Sequence, residues 1–258
     1  MDVNRNQEWS EALFRLICVY TAICLFAGFE RSGDAFLNSS NKSGIQVDDL
    51  VDRFVGMQIA ADRSGALALI NQALASGIPV PGVMLDVIQP AQYELGRRWE
   101  CDEISIADEH VGTAIAYLAI NRLYEVLPRT EPREQRLVVA CVEGEQHDLG
   151  ARMIADLCEM HGFEVIYLGA NVPTESLLRL IDDRRPDATL LSATMTWNLP
   201  ELERTANRIE AMSVPVVAGG RALSWVGDNV GHLDLYAPRE SPLDLLSRLG
   251  NELDHARQ

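Results

Sequence analysis

Hydrophobic residues recur along this chain at two different spacings, one in each half. Between residues 47 and 126 they fall three and four positions apart, as in Leu50, Val51 and Phe54, which is typical of amphipathic helices. Breakers such as Gly77 divide this region into segments. It is therefore predicted to be a four-helix bundle. The predicted helices are 47–60, 62–75, 81–99 and 105–126.

In the second half, short apolar runs alternate with amphipathic segments. Such alternation predicts an α/β fold with a Rossmann-like, flavodoxin-like, doubly wound parallel sheet. The predicted strands are 137–142, 164–168, 188–192, 214–218 and 233–236. The predicted helices are 149–160, 174–183, 199–212 and 242–253.

The domain prediction follows from these changes of pattern. Residues 1–45 are interpreted as an appendage and linker, 46–127 as a four-helix bundle cap, 128–135 as a polar linker, and 136–258 as the Rossmann-like domain. Within the appendage, the apolar run 16–29 is shorter than the ~20 residues that span a bilayer. A buried or capping helix is expected there, with a membrane-associated segment as the alternative, and no membrane span is predicted.

Charge and cysteine content narrow the classes of function. The net charge is −16, from 22 basic and 38 acidic residues, and Lys42 is the single lysine. Direct nucleic-acid binding is therefore not expected, because it needs clustered basic residues. The five cysteines form no Cys-x-x-Cys pair, which argues against a disulfide framework or a zinc site and favours a cytoplasmic protein. Each cysteine is expected to be a buried or partly buried apolar residue.

One histidine stands at the end of a predicted strand. The run 138–142 leads into a polar turn that contains Glu145 and His147, and Gly150 opens the next helix. Ligands of open α/β sheets bind at this edge. A neutral imidazole there is a natural ligand for a transition metal, with the carboxylate available to orient it. The alternative is a capping or surface histidine.

Two further motifs make the pattern specific. Forty-one residues separate Gly150 from Ser192-Ala193-Thr194, and 24 more lead to Gly219-Gly220. The three elements together resemble the cobalamin-binding domain, and the resemblance extends over about residues 47–256. Two departures stand out. Glu145 stands where methyl-transferring and mutase relatives usually carry Asp, and Thr194 stands where Leu is usual.

This resemblance implies a set of cobalamin-binding residues. It implies that His147 is the lower axial ligand of cobalt, and that a nucleotide tail enters a slot beside the sheet. Asp148 is also expected to cap the following helix. The loop with Val172 would run along the corrin edge, although a turn before a helix explains it equally well. The implied residues in this half are Glu145, His147, Asp148, Gly150, Val172, Ser192, Thr194, Gly219 and Gly220.

A second motif lies in the helical half. Trp99, nine intervening residues, and the pair Glu109-His110 resemble the cap of light-sensing adenosylcobalamin photoreceptor regulators. The resemblance implies that these three residues contact the upper ligand of cobalt. The alternative is a core tryptophan with a partly exposed acid–imidazole pair. Some photoreceptors have a histidine after the tryptophan; here that residue is Glu100, which puts a bis-histidine state in doubt.

The leading hypothesis is a cobalamin-binding photoreceptor that lacks the DNA-binding domain of its relatives. Its cofactor is expected to be adenosylcobalamin, with hydroxocobalamin or methylcobalamin as alternatives. Its output would pass to a protein partner, such as a transcription regulator, or through a homo-oligomer. A corrinoid methyl-carrier protein is the main alternative, and a cobalamin storage or chaperone protein is the third. No catalytic triad, P-loop or paired carboxylates are recognised, so the chain is not expected to be an enzyme itself.

Overall fold

A computed structural model describes residues 47–226, 234–235 and 242–256. The chain divides into two compact units, one ending at Leu123 and the other beginning at Tyr124. The predicted appendage, including the apolar run 16–29, lies outside the described residues. The finer division at 128–135 stays a prediction. Within the described part, no helix combines the length and apolarity needed to cross a membrane.

The first unit is helical, as predicted. Asp62 begins the second helix by accepting a hydrogen bond from the Gly65 amide at 2.8 Å. At the start of the last helix, Ser105 and Asp108 bond reciprocally as a capping box. The elements are α1 (Val47–Ile59), α2 (Arg63–Ala75), α3 (Val80–Gly82), a π-helical segment (Val83–Ile88), α4 (Gln89–Glu100) and α5 (Ile106–Glu125).

The third predicted helix is not a single α-helix. Val83–Ile88 is π-helical, and the Gln89 amide bonds the Met84 carbonyl five residues earlier. Pro90 supplies the physical reason. Its ring would crowd the carbonyl of residue 86 in an α-helix, and it has no N–H to donate. The wider turn accommodates the proline within the predicted third helix, whose residues 80–100 are helical throughout.

The second unit contains a five-stranded parallel sheet in the order β2-β1-β3-β4-β5. Helices α6 and α10 lie on one face, and α7 and α8 lie on the other. This confirms the predicted doubly wound fold. The strands are β1 (Arg136–Cys141), β2 (Glu164–Gly169), β3 (Ala188–Ser192), β4 (Val216–Gly219) and β5 (Asp234–Leu235). The helices are α6 (Leu149–Met160), α7 (Thr174–Arg184), a 3-10 turn (Thr196–Asn198), α8 (Leu199–Glu210), α9 (Leu223–Val226) and α10 (Pro242–Ala256).

Both faces of the central strands are buried. Val138 and Ala140 of β1 pack in one apolar cluster with Leu177 of α7 and Leu202 of α8. Val139, which points to the other face, is also buried. Burial on both faces explains why these strands read as continuous apolar runs. Strands β1 and β3 are neighbours although α6, β2 and α7 separate them in sequence, so the topological switch point lies between them.

Candidate functional site

The loop after β1 is tied to the loop after β2. Gly144 has a φ of +88°, and its amide donates to the Asn171 side chain at 2.8 Å. In return, the Asn171 amide donates to the Glu145 carbonyl at 2.7 Å. Asn171 itself has a φ of +50°, a conformation that Asn tolerates better than most residues. These bonds hold Glu145 and His147 at the carboxyl edge of the sheet.

The Glu145 carboxylate is the polar centre of this edge. Its side chain is fully buried. One oxygen accepts the backbone amide of His147 at 2.9 Å and faces its ring Nδ1 at 2.6 Å. The other oxygen accepts the amides of Thr194 and Met195 and the Asn198 side chain, at 2.8, 2.9 and 2.9 Å. Five polar groups thus converge on one buried acid.

These contacts decide the ionisation of Glu145. Burial raises the pKa of a carboxyl group, but the hydrogen bonds from His147, Met195 and Asn198 outweigh burial and lower the pKa of Glu145 from 4.5 to about 2. Glu145 is therefore an anion at neutral pH. A buried anion with this many donors is a rigid acceptor for the neighbouring imidazole.

The ionised carboxylate selects one tautomer of His147. Because it can only accept, the ring Nδ1 must carry the proton, and the lone pair stays on Nε2. The His147 side chain is 55% exposed, in contrast to the buried Glu145. An oriented imidazole with an accessible face is the usual form of a histidine metal ligand.

The three motifs recognised in the sequence meet at this edge. In the sheet register, Cys141 pairs with Ser192, and Ser192 pairs with Gly219. The ends of β1, β3 and β4 are therefore level with one another. Thr194 follows β3 directly and donates its amide to Glu145 at 2.8 Å. The structure thus brings together motif elements that lie far apart in sequence.

The glycines of this edge differ in their surroundings. Gly220 has a φ of +108°, and a Cβ there would lie 2.2 Å from the Ala193 carbonyl oxygen. Gly220 is therefore required by the close approach of the chain segments after β3 and β4. A Cβ on Gly150, in the first turn of α6, would meet no atom within 4 Å. Gly150 borders open space.

Asp148 behaves differently from expectation. Asp148 precedes α6, but its side chain makes no capping hydrogen bond. It accepts the Tyr167 hydroxyl at 2.8 Å instead, so the capping prediction was wrong. The physical reason is that Tyr167, on the neighbouring strand β2, binds this carboxylate. Val172 belongs to the apolar core, and its amide donates to the Cys141 carbonyl at 3.2 Å.

The sequence reasoning missed one residue of the edge. Asn198 is buried and donates to Glu145 at 2.9 Å. Its signal was weak, because it follows the Ser192 strand by six residues in an irregular segment. Of the cysteines, Cys141 and Cys158 are buried as expected, whereas Cys101 is exposed. Cys18 and Cys24 lie outside the described residues.

A second polar cluster lies in the helical unit. Glu109 and His110 are neighbours on α5, with 2.6 Å between a Glu109 carboxylate oxygen and the His110 Nδ1. The Glu109 side chain is 21% exposed and that of His110 is 72% exposed. Trp99 is the penultimate residue of α4 and is partly buried. The short turn between α4 and α5 keeps all three residues at the same end of this helix pair.

Among the described residues, no group of three or more His, Cys, Asp or Glu side chains is arranged to hold a metal ion. The candidate metal ligand of the sheet edge is therefore a single imidazole, that of His147.

Comparison with protein families identifies both units of this chain. Residues 135–236 match a B12 binding domain, and residues 50–124 match a second B12 binding domain model. This chain belongs to the B12-binding family. It is a cobalamin-binding protein, and both units take part in the family match.

Two curated relatives of this B12-binding chain are of different kinds. The HTH-type transcriptional repressor CarH of Myxococcus xanthus is 28% identical over 63% of this chain and 54% of the relative. The chain thus spans about half the length of that relative. Trimethylamine corrinoid protein 1 of Methanosarcina acetivorans is 25% identical over 73% of this chain and 89% of the relative.

A solved structure shows the same fold. The monomethylamine corrinoid protein of Methanosarcina barkeri matches with a TM-score of 0.67 and 20% identity, over 81% of this chain and all of that chain. The similarity confirms the architecture of helices followed by a parallel sheet with helices on both faces.

The site chemistry suits a cobalt corrinoid. The macrocycle leaves few positions on the metal for protein ligands, and the sheet edge offers one oriented imidazole rather than a cluster. A Cβ on Gly150, three residues after that imidazole in sequence, would meet no atom within 4 Å, so an organic ligand can approach the backbone there. The residues present therefore fit the cofactor that the family binds.

Proposed function

We propose that this chain is a B12-dependent photoreceptor that signals to a protein partner. The observation that carries the proposal is the Trp99, Glu109 and His110 motif, whose acid–imidazole pair is hydrogen-bonded at 2.6 Å. Similarity to the repressor CarH supports the regulatory role. Adenosylcobalamin, when bound, supplies a cobalt–carbon bond that light can break.

The residues of the sheet edge would hold the cobalamin. His147 would donate the lone pair of Nε2 to cobalt, while Glu145 would fix the ring and its tautomer through Nδ1. The remaining residues proposed to border the nucleotide tail and the corrin edge are Asp148, Gly150, Val172, Ser192, Thr194, Gly219 and Gly220.

The helical unit would contact the upper ligand. Trp99 offers an apolar ring surface for packing against an adenosyl group. Glu109 offers a carboxylate that accepts hydrogen bonds from a ribose hydroxyl or an adenine amine, and His110 supports that carboxylate. Glu100, next to Trp99, is not a nitrogen ligand that could replace the adenosyl group.

The acidic charge supports a protein partner rather than DNA as the output. With a net charge of −16, this chain repels phosphates. A separate transcription regulator, or a change in self-association, would transmit the light signal.

The test uses the chain reconstituted with adenosylcobalamin in the dark and then exposed to green light. We expect a change of absorption spectrum together with a change in oligomeric state or in affinity for a partner regulator. Spectrum alone is insufficient, because the free cofactor is also light-sensitive. Illumination that alters the spectrum while size and partner affinity stay constant would exclude a sensor.

Replacement of the proposed cobalt ligand is the matching control. His147→Ala is expected to weaken cobalamin binding and to shift the cobalt absorption bands of any remaining complex. His161→Ala, at the end of α6, removes an imidazole from the same unit and should leave both unchanged. Unaltered binding and spectrum in His147→Ala would contradict the assignment of the ligand.

The second candidate is a corrinoid methyl carrier. The similarity to trimethylamine corrinoid protein 1 extends over 89% of that relative, which favours this alternative. Glu145 in place of the usual Asp, and the motif of Trp99, count against it. A carrier would bind methylcobalamin and release the methyl group only with a partner methyltransferase, in the dark.

A further inference from the structure

A chain of hydrogen bonds crosses the helical unit and ends at Glu109. The fully buried Gln58 of α1 donates to the Gln92 side chain of α4 at 2.5 Å and to the Gly112 carbonyl of α5 at 2.8 Å. Gln92 donates to the Thr113 hydroxyl at 2.9 Å. Thr113 then donates to a Glu109 oxygen at 2.8 Å. We call these bonds the glutamine relay.

All bonds of the relay run in one direction. Gln58 donates through its amide nitrogen, and Gln92 accepts with its oxygen and donates with its nitrogen. The Thr113 hydroxyl then passes the direction on to the carboxylate. Glu109 receives Thr113 on one oxygen and faces the His110 Nδ1 with the other, at 2.6 Å. Both oxygens of Glu109 are therefore engaged, and its rotamer is specified by three helices.

The relay is not needed to fill the core. Gln58 occupies a position on the buried face of α1, beside Phe54 and Val55. Its Oε1 atom is buried and has no hydrogen-bond partner. An apolar side chain at this position would leave no such atom without a partner. The role of Gln58 is therefore explained by the two acceptors of its amide nitrogen, the Gln92 side chain and the Gly112 carbonyl.

The close approach of the helices also supports the relay. A Cβ on Gly112 would lie 2.5 Å from a Leu95 methyl group and 3.2 Å from the Gln58 Cβ. Glycine therefore lets α5 come near α1 and α4, so that Gln58 reaches the Gly112 carbonyl. Gln92 and Trp99 are seven residues apart, about two turns, and so share one face of α4.

We infer that Gln92 and Thr113 are positioning residues that fix the Glu109 carboxylate and thereby set the preference for the upper ligand of cobalamin. This inference rests on the proposed function. Neither residue is expected to touch the cofactor. Their effect is to hold one acceptor geometry, which a hydroxyl- and amine-bearing adenosyl group can use and a small ligand cannot.

The experiment compares the affinities of the full chain for adenosylcobalamin and hydroxocobalamin, measured in the dark. Thr113→Val keeps the shape but removes the donor to Glu109. We expect it to reduce the preference for adenosylcobalamin about tenfold, while binding of hydroxocobalamin changes little. Thr113→Ser restores the hydroxyl and should restore the preference, which a general loss of packing would not do.

Gln92→Met tests the relay at a second position, should Thr113→Val fail to fold. It should lower the same preference, whereas Gln72→Leu, at an exposed position of α2, should not. A wild-type chain that binds neither form overturns the proposed function. A wild-type chain that binds both forms without preference, or variants that keep the wild-type preference, overturns the relay alone.

Discussion

At the scale of single residues, two carboxylates near imidazoles have different environments. Glu145 is fully buried and accepts three backbone amides besides its side-chain donors. Glu109 is partly exposed and accepts only side-chain donors among its described bonds. The first is part of the fold as well as of the site, so its replacement should affect stability. The second can be changed with a smaller effect on folding.

Glu145→Gln should lower the free energy of unfolding by roughly 2–4 kcal/mol, because an amide NH₂ would face buried donors that then lack an acceptor. Urea unfolding of the cofactor-free chain measures this. Glu143→Gln makes the same change two residues away at an exposed position and should cost far less. Equal losses in the two variants would contradict the account of the buried carboxylate.

The effect of Glu145→Gln should depend on pH. The pKa of Glu145 falls from 4.5 to about 2 on folding. A lowered pKa contributes stability that is present above pH 4.5 and is lost as the pH falls to about 2. The difference between wild type and variant should therefore shrink across that window. Urea unfolding at pH 6, 4 and 3 measures it, and a constant difference would argue against an ionised Glu145.

At the scale of elements, replacement by alanine should have opposite effects on stability at Gly220, which follows β4, and at Gly150 in α6. Gly220→Ala should destabilise the chain by roughly 2–4 kcal/mol, because the φ of +108° is strained for alanine and the new Cβ would clash with the Ala193 carbonyl. Gly150→Ala should instead stabilise α6 by ~0.5–1 kcal/mol, because its Cβ meets no atom. Thermal unfolding of both variants tests the contrast.

Gly150→Leu separates folding from binding at the same position. We expect a stability close to that of wild type, but an affinity for cobalamin weakened about tenfold or more, equal to ~1.4 kcal/mol. The measurement is a spectroscopic titration with hydroxocobalamin. Undiminished affinity would mean that the space beside Gly150 does not receive the cofactor.

The π-helical segment carries a partly buried acid, Asp86. Burial raises the pKa of Asp86 from 3.8 to about 6, and its Oδ2 atom has no hydrogen-bond partner. A raised pKa contributes stability below pH 3.8 that is lost as the pH rises through 6. Asp86→Asn should therefore stabilise the chain by ~1–3 kcal/mol at pH 7.5 and have little effect at pH 3.5.

Urea unfolding at these two pH values measures the effect. Asp52→Asn, on the exposed side of α1, serves as the control and should change little at either pH. A stabilisation by Asp86→Asn that is the same at both pH values would not come from ionisation of this carboxyl group.

At the scale of the whole molecule, the net charge of −16 predicts that the chain does not bind DNA. With 38 acidic and 22 basic residues, no counterion release favours binding to duplex DNA. Gel-shift titration at ~50 mM salt should therefore leave DNA mobility unchanged in the dark and in the light. A light-dependent shift that disappears at high salt would show direct DNA binding and contradict a protein partner as the output.

Much of the fold was predictable from residue spacing. The apolar runs predicted the strands, because strands that are buried on both faces consist of consecutive apolar residues. Helices α7 and α8 begin at the predicted residues, because a helix that is buried on one face repeats apolar residues at a regular spacing. The π-helical segment was not predictable from spacing, because it changes the backbone register and not the identity of the buried residues. Pro90 was the visible signal.

The candidate site was predictable where a motif carried it. His147, Ser192 and the two glycines were singled out as candidates because their types and spacings are unusual together. Asn198 and the relay of Gln58, Gln92 and Thr113 were not predicted, since single amides and hydroxyls are common. Apart from the bond between Thr113 and Glu109, their partners lie 21 to 54 residues away in sequence.

Local pattern was sufficient for most of the described helices and strands, for the α/β class and for the residue types at the strand ends, because these depend on neighbours within a few positions. Register and contact were not accessible in that way. The level alignment of Cys141, Ser192 and Gly219, and the buried bonds to Glu145, exist only once β3 pairs with β1 and β4. Folding alone brings such distant groups within hydrogen-bond distance, and that proximity keeps the buried Glu145 carboxylate ionised and orients the imidazole of His147.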